Sequence, residues 1–549
     1  MSLRVLRVLG LALFANKVQA DLPVHCLRHE VVGEWRFTLG ALSERRSSCG
    51  HDRPDREDEQ PSRLVVDAKG LVSSAKSETG ETQLMVTLSN PNVAMSARDS
   101  QGSWTMIYDE GFEVNVAGLN FFAFSNFTFE KNPKHWSAPK HNVSHCGDTM
   151  VGWYQNRDRT RFGCYYGTKV LQEAVRHAPV PSVPHAAVLQ AAVPHKQPQV
   201  RPISYDSPLN QEKQHKVVSQ LNKRVAMLQL GWKASVMSKW NGKTMREVNE
   251  YAGIKRPGQT RQARKEMLKQ HVPAPKSAKS FLQRGLAEKS VPLPASWDWS
   301  NVDGVNYLEP VMDQSDCGSC YVASSMRMLT ARHKIKTKNV DALPWSINFP
   351  LFCSEYNQGC KGGYGTLVSK WSTDVGLVPA TCMRYDTTGS CKLECDLKTL
   401  KGKRYRADSH RYVGSWYGNT SHSVEMIKEE LHKNGPLVLG LEPTEDFMFY
   451  SEGVYKSTVP QQHAADQEWE RVDHAVLLVG WGEEQGKKYW KLQNSWGPDW
   501  GEDGFFRINM GTDESGIESI PEAADVVEDE QAGKQVENFF AQLAPTRSL

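Results

Sequence analysis

Short apolar and aromatic runs alternate with polar punctuation over the first part of the chain. Glu34-Trp-Arg-Phe-Thr-Leu39, Arg63-Leu-Val-Val66, Gln83-Leu-Met-Val-Thr-Leu88 and Trp104-Thr-Met-Ile-Tyr108 are β-prone and separated by Gly, Ser, Asn or Asp, which predicts antiparallel strands. Phe121, Phe122, Phe124, Phe127 and Phe129 crowd one further run; an aromatic core explains them better than a ligand box. An antiparallel β-barrel over residues 21–169 accommodates all of these. The pattern stops between 170 and 215, where seven prolines sit among Ala, Val and His. That composition builds no core and predicts an extended linker. Helical spacing then appears in Val218, Leu221, Val225, Leu228, Trp232, Val236 and Trp240, predicting one amphipathic helix whose stripe docks on a partner surface. It opens a segment over 216–292 that ends in a basic, proline-bearing connector. From Lys255 to Lys289 ten Lys or Arg stand against two Glu. Beyond Leu293 both periods occur. Tyr321 to Arg332 is helix-compatible, and Val472-Asp-His-Ala-Val-Leu-Leu-Val-Gly-Trp-Gly482 is an apolar β run ended by glycines. The expected class is α+β, with one domain over 293–525. Residues 526–549 show little apolar periodicity and are expected to form a flexible tail.

Composition narrows the setting. A chain of 549 residues exceeds what a single core supports. With 66 basic and 63 acidic residues the formal charge is +3, which gives no reason to invoke nucleic acid or a membrane field. Arg4 and Arg7, the apolar stretch Val8 to Ala15 and the small-residue site Val18-Gln-Ala20 read as a signal peptide over 1–20. That stretch falls far short of the ~20 residues of a membrane span. Eleven cysteines in a secreted chain suit one free thiol and five disulfides. Asn126, Asn142 and Asn419 satisfy the N-x-[ST] rule and point to a glycoprotein. His177, His185 and His195 match no zinc template, so no metal is expected.

The chemistry begins at Gln314-Ser-Asp-Cys-Gly-Ser-Cys-Tyr321. C-G-[SA]-C-[WY] is a thiol-peptidase signature whose second Cys, here Cys320, is the nucleophile. A thiol attacks as thiolate, so it benefits from a helix N-terminus and an imidazolium neighbour. Gln314, six residues upstream, can aim an amide donor at a developing oxyanion. The competing readings are a disulfide knuckle or a thioredoxin-like C-x-x-C. The partners downstream argue against both. His474 sits in the apolar β run, 154 residues after Cys320, slightly beyond the roughly 130–150 usual for this signature. Asn494 opens Asn494-Ser-Trp-Gly-Pro-Asp-Trp-Gly501; its carbonyl can fix the His474 tautomer, and Trp496 can shield that bond.

Those residues resemble the papain-like cysteine peptidases. Over nearly the whole length the chain is similar to the branch that removes dipeptides and carries a front exclusion domain. The resemblance rests on Leu293-Pro-Ala-Ser-Trp-Asp-Trp-Ser-Asn-Val302, on Gln358-Gly-Cys-Lys-Gly-Gly363, on Gly511 to Ser519 and on Gly152-Trp153 with Arg161-Phe-Gly-Cys-Tyr-Tyr166. It departs at Ser515, where the family has Cys. It implies a helical lobe bearing Cys320, a β-barrel lobe bearing His474, and a pro-segment running through the cleft between them. It implies the disulfides Cys26–Cys146, Cys49–Cys164, Cys317–Cys360, Cys353–Cys391 and Cys382–Cys395. The carboxylate of Asp21, at a freshly cut N-terminus, would face the substrate amine, with Gly363, Asp473 and Ile517 also lining the substrate site. Asp473 stands where the branch has Asn. The family holds a chloride near its second specificity pocket through residues matching Tyr364, Thr366 and Tyr412, and Thr366 replaces a Tyr of that set. Heavy- and light-chain processing would fall in Gln461 to Glu470, and the assembly would be a homotetramer. The expected activity is removal of dipeptides from free N-termini of peptides and proteins through a thioester. The expected setting is the secretory pathway, ending in a lysosome, an acidic vacuole, a secretory vesicle or outside the cell. The alternatives are a plain papain-like endopeptidase with an unrelated front domain, and a binding glycoprotein on an inactive scaffold.

Overall fold

The computed structural model describes residues 24–51, 83–90, 92–96, 101–130, 141–170, 207–251, 292–340, 343–397, 403–414, 423–459 and 472–543. Asp21, the signal peptide, Arg63 to Val66, the linker histidines, the basic connector, Asn419 and the 461–470 loop lie outside them.

After a short helix α1 (Arg28–Val31), nine strands build the front domain: β1 (Gly33–Leu39), β2 (Gln83–Ser89), β3 (Val93–Ser96), β4 (Gln101–Ile107), β5 (Gly111–Val116), β6 (Leu119–Glu130), β7 (His141–Thr149), β8 (Gly152–Asn156) and β9 (Phe162–Lys169). Neighbours pair antiparallel from β1 to β6; β6 then pairs β8, β8 pairs β9, and β9 returns to β1. Eight strands therefore close a barrel, and closure leaves no open sheet edge. β7 pairs the far half of β6. The phenylalanine run lies in β6, with Phe121, Phe122 and Phe127 fully buried and packed with Trp35, Phe37, Tyr154 and Tyr165.

The middle segment holds α2 (Gln211–Met227), β10 (Lys233–Ala234) and α3 (Met245–Tyr251). Two sequence expectations change here. The Asn210 side chain caps α2 by accepting from the Lys213 amide, so helix begins inside the span assigned to the linker. The helix also stops at Met227 instead of running to Trp240. Gln229 and Gly231 adopt positive φ of 52° and 82°, which ends an α-helix as a left-handed cap does. The apolar residues beyond it dock one by one. Trp232 donates to the Lys456 carbonyl at 2.8 Å, and Trp240 to the Met448 carbonyl at 2.9 Å.

The last domain opens with β11 (Trp297–Asp298). A helical lobe of α4 (Cys320–Thr337), α5 (Asn348–Cys353) and α6 (Gly365–Asp374) is followed by β12 (Tyr405–Tyr412), α7 (Ser423–Asn434), β13 (Leu437–Leu441), β14 (Tyr450–Glu452), β15 (Val454–Tyr455), β16 (His474–Glu484), β17 (Lys487–Gln493), β18 (Phe505–Asn509) and β19 (Glu522–Glu528). The sheet runs β12-β19-β13-β16-β17-β18-β15, with β11 on β16, and β10 pairs β14 in a separate two-stranded sheet. The expected flexible tail is instead a helix, α8 (Glu530–Leu543). Ala532, Val536, Phe539 and Phe540 fall on one helical face. Phe540 stacks on Phe349 at 5.6 Å, and Phe539 meets Trp371 at 5.6 Å.

The barrel docks on the helical lobe through buried charge. Lys370 of α6 lies 3.3 Å from Glu113 of β5 and 3.2 Å from Asp374. His410 of β12 lies 2.7 Å from the other Glu113 oxygen. Gln155 of β8 donates to Asp374 at 2.6 Å, and Arg46 pairs with Glu355. Burial would raise the Glu113 carboxyl, yet His410 and Lys370 together hold it far below its ordinary range. Such a network fixes the docking geometry, because any shift strands a buried charge. Five disulfides lock the two domains internally: Cys26–Cys146, Cys49–Cys164, Cys317–Cys360, Cys353–Cys391 and Cys382–Cys395. They are the pairs the family resemblance implies. Among the described residues no helix is long and apolar enough to cross a membrane, and no His, Cys, Asp and Glu cluster could hold a metal.

Candidate active site

Cys320 is the free cysteine among the described residues and opens α4 directly after Ser319. The helix N-terminus therefore points its unpaired amides at the thiol, which favours the thiolate. The loop before it is pinned from the far side. Gly318 donates to the Cys360 carbonyl at 2.8 Å, and a Cβ on Gly318 would come within 2.7 Å of that oxygen. Only glycine permits this approach, and the Cys317–Cys360 bond maintains it. Tyr385 supports the same loop: its hydroxyl donates to the Gln314 carbonyl at 2.8 Å and accepts from Ser319 at 2.7 Å. Sequence reading passed over Tyr385, which carries no local signal.

His474 is the first residue of β16 and is 2% exposed. Its Nε2 meets Asn494 Oδ1 at 2.8 Å, so the ring proton sits on Nε2 and Nδ1 is left as the base. Nδ1 is buried without a hydrogen-bond partner. Trp496 stacks on the imidazole at 4.7 Å and keeps water from the His474–Asn494 bond. The thiol receives the amide of Ala475, the residue after His474, which places Cys320 beside the start of β16. Gln314 is 1% exposed. Its Oε1 accepts from the Ser495 hydroxyl at 2.6 Å and its Nε2 donates to the Cys317 carbonyl at 3.1 Å, so the second Nε2 hydrogen is the one an oxyanion would use.

Burial pushes the Cys320 thiol up and the His474 imidazole down to about 4, against the bond from Asn494. Neither ion forms alone at neutral pH. Moving the proton from Sγ to Nδ1 creates both charges together, and their attraction in a dry cleft offsets the desolvation each would suffer separately.

Of the other residues expected to touch substrate, Gly363 sits at the cleft-side turn with φ of 155°. A Cβ there would meet Asn357 Oδ1 at 2.2 Å. Asp473 borders the site as the neighbour of His474, its amide on the Leu441 carbonyl at 3.1 Å. Ile517 is fully buried in the catalytic core with the middle segment and the barrel in place. Ile520, three residues further on, packs with Tyr108, Tyr364, Tyr412 and Val472.

The middle segment reaches this site. The Tyr251 carbonyl lies 3.5 Å from Gln314 Nε2, and the Tyr251 hydroxyl bonds Asp313. Lys239 binds Asp313 at 3.1 Å, and Lys243 binds Asp316 at 2.8 Å. Burial would raise the Asp313 carboxyl, but the Tyr251, Ser315 and Lys239 contacts lower it. A lowered carboxyl contributes stability above its unfolded value and loses it as pH falls through the folded one. Asp313→Asn should therefore loosen the segment at pH 6 and speed its removal several-fold, in keeping with a half-exposed pair worth about 1 kcal/mol. Gel-monitored conversion checks this, and an unchanged rate contradicts it.

Comparison with known proteins adds two family matches and three relatives. The family model for papain family cysteine proteases matches residues 293–524, and that for the cathepsin C exclusion domain matches residues 21–169. The chain is 27% identical to cathepsin C of Schistosoma mansoni, over 91% of this chain and 94% of that one. It is 24% identical to dipeptidyl aminopeptidase 1 of Plasmodium falciparum, over 91% and 92%, and 31% identical to cathepsin B-like cysteine proteinase 1 of Ostertagia ostertagi, over 44% and 75%.

Proposed function

The chain belongs to the papain family of cysteine proteases, and we propose that it removes dipeptides from the free N-termini of peptides and proteins. The observation that carries this is the seat of the barrel. Its β4–β5 turn, Tyr108-Asp109-Glu110, lies against the cleft. The Tyr108 ring meets Tyr364 at 4.6 Å, and its hydroxyl accepts from the Val472 amide at 3.4 Å, two residues before the catalytic base. Tyr364 in turn donates to Glu110 at 3.3 Å. A cleft walled in this way favours a short N-terminal stretch over a passing chain.

Residues 24–26 run along the same turn. Cys26 donates to the Asp109 carbonyl at 2.8 Å, His25 pairs with the Asp109 carboxylate at 2.6 Å, and Val24 is fully buried. Asp21 precedes Val24 by three residues, a reach of about 10 Å. In this reading its carboxylate receives the substrate ammonium.

The chemistry is acyl transfer. The Cys320 thiolate adds to the scissile carbonyl carbon, and Gln314 Nε2 with the Cys320 amide receives the oxyanion. His474 Nδ1, having taken the thiol proton, gives it to the leaving amine as the C–N bond breaks. The dipeptide remains as a thioester. Water, deprotonated by His474, then attacks the thioester carbon, and the thiolate leaves. Five disulfides support an oxidising compartment; within it we assign a lysosome, an acidic vacuole or a secretory vesicle. Hydrolysis of matched free and N-acetylated dipeptidyl substrates by the mature enzyme tests the reading. The free amine should be cleaved and the blocked one left intact; equal rates would favour the endopeptidase alternative.

A further inference from the structure

The resemblance implies a chloride held by Tyr364, Thr366 and Tyr412, and the side chains around these residues do not fit one. Glu522 of β19 pairs in register with Tyr412 of β12 and Val438 of β13 and is 6% exposed. Its carboxyl lies over the start of α6. A Cβ on Gly365 would come 2.2 Å from Glu522 Oε2 and 2.9 Å from Ser325 Oγ of α4. Gly365 has no positive φ, so it is the side-chain space that the carboxyl uses. The amide and hydroxyl of Thr366 are the groups that favour the ionised carboxyl. Glu522 in turn acts electrostatically on the Tyr412 phenol, which is bonded by Thr366 and by the Tyr108 backbone.

Both Tyr364 donors are committed. The Tyr364 amide donates to Asn357 Oδ1 at 2.9 Å, and its hydroxyl to Glu110 Oε1 at 3.3 Å. The nearby cations, Lys370 and His410, already face Glu113 and Asp374. Glu522 Oε2 and Thr366 Oγ1 are both buried, and neither completes a hydrogen bond of standard geometry. The two groups meet side by side at the floor of this site, where an additional anion would face the carboxyl oxygens at close range.

We infer that the Glu522 carboxyl fills the position the family resemblance gives to a chloride ion, so that this chain is a halide-independent member. It carries as a side chain what its relatives take from solution. Gly365, Thr366 and Glu522 form one fitted set: the glycine makes room, the threonine supplies short donors in place of a long phenol, and the carboxyl supplies the acceptor.

The proposal can be tested on the mature enzyme without reference to its substrates. A ligand that binds the folded state raises Tm by mass action. Exchange from about 100 mM chloride into acetate should therefore leave Tm within about 1 °C. Crystals soaked in bromide should show no anomalous peak bonded to Thr366 or Tyr412. Such a peak, or a Tm that climbs with halide and not with acetate, overturns the inference. The double variant Glu522→Val, Thr366→Tyr should gain a halide-dependent Tm; if it folds and ignores halide, the carboxyl is not the displacing group.

A titration supplies a further arm. Burial raises the Glu522 carboxyl to about 8, with Thr366 opposing. The groups around it are Ser325 from α4, Thr366 from α6 and Tyr412 from β12, with Glu110 and Glu113 of the barrel behind Tyr364 and Tyr412. A raised folded-state pKa gives stability that is full below the unfolded value of 4.5 and is lost as pH rises through about 8. The Tm of the wild type should therefore fall relative to that of Glu522→Gln across this interval, and parallel profiles would count against the buried carboxyl. A failure of the dipeptidyl reading would leave all of these readouts standing.

Discussion

Cys320→Ala is expected to abolish peptide hydrolysis while the protein still folds and is secreted. The thiol belongs to no disulfide, and the loop that carries it is held by the Cys317–Cys360 bond, by Gly318 and by Tyr385. Its loss should therefore leave the domain in place. The chemical cost is large, because the His474–Asn494 pair and the Gln314 donor have no nucleophile to assist. Removing the nucleophile of such a unit costs at least about 10⁴ in kcat. Active-site titration with an epoxide inhibitor and initial rates on a dipeptidyl substrate make the measurement. Activity within about tenfold of wild type would remove Cys320 from the mechanism.

Asp21→Asn is the second large effect. A substrate ammonium loses its water on entering a closed cleft, and without a carboxylate partner that desolvation is costly. The segment that follows Asp21 is anchored to the barrel turn at the cleft by Cys26 and His25, and the Cys26–Cys146 disulfide holds it from behind. Removal of the carboxylate should lower kcat/KM for free-amine dipeptidyl substrates by about 2–5 kcal/mol, as for truncating one partner of a buried charge pair. The reaction of Cys320 with a small uncharged electrophile should be unchanged, which separates this role from damage to the nucleophile. Normal cleavage by Asp21→Asn would detach the N-terminus from substrate recognition.

How much of this was legible in the chain depends on whether the signal was local. The nucleophile, base and orienter sit in short motifs whose chemistry constrains neighbouring residues, so Cys320, His474, Asn494 and Gln314 could be read directly. β1, β2 and β4 followed from alternation. The helix expected to reach Trp240 failed because large apolar residues at helical spacing also suit a chain that inserts them singly into a groove, and Gly231 marked the break. α8 was missed because its stripe is built from only Ala532, Val536, Phe539 and Phe540, and its partner surface, Phe349 and Trp371, lies far away in sequence. The barrel turn at 108–110 and the Glu522–Thr366–Gly365 set were unreadable for the same reason: each is a meeting of residues that no local pattern connects.

Every one of the five disulfides closes within a single unit. Two lie in the barrel and three lie between Cys317 and Cys395, and none ties either unit to β16, β17, β18, β19 or α8. Cutting the chain in the middle segment would thus leave the barrel and the peptidase as separate molecules. Their contact would change from an intramolecular one, at the high effective concentration a tether imposes, to a bimolecular one subject to dilution. The Glu113–Lys370–His410 cluster, the Gln155–Asp374 and Arg46–Glu355 pairs, the Tyr108 contacts and the Gln535–Arg159 contact from α8, 3.0 Å long, would then have to hold what the peptide chain held before. Exopeptidase character becomes a matter of subunit affinity: a sufficiently dilute or acidified sample would shed its barrel and, with it, the limit on how much of a polypeptide the cleft accepts.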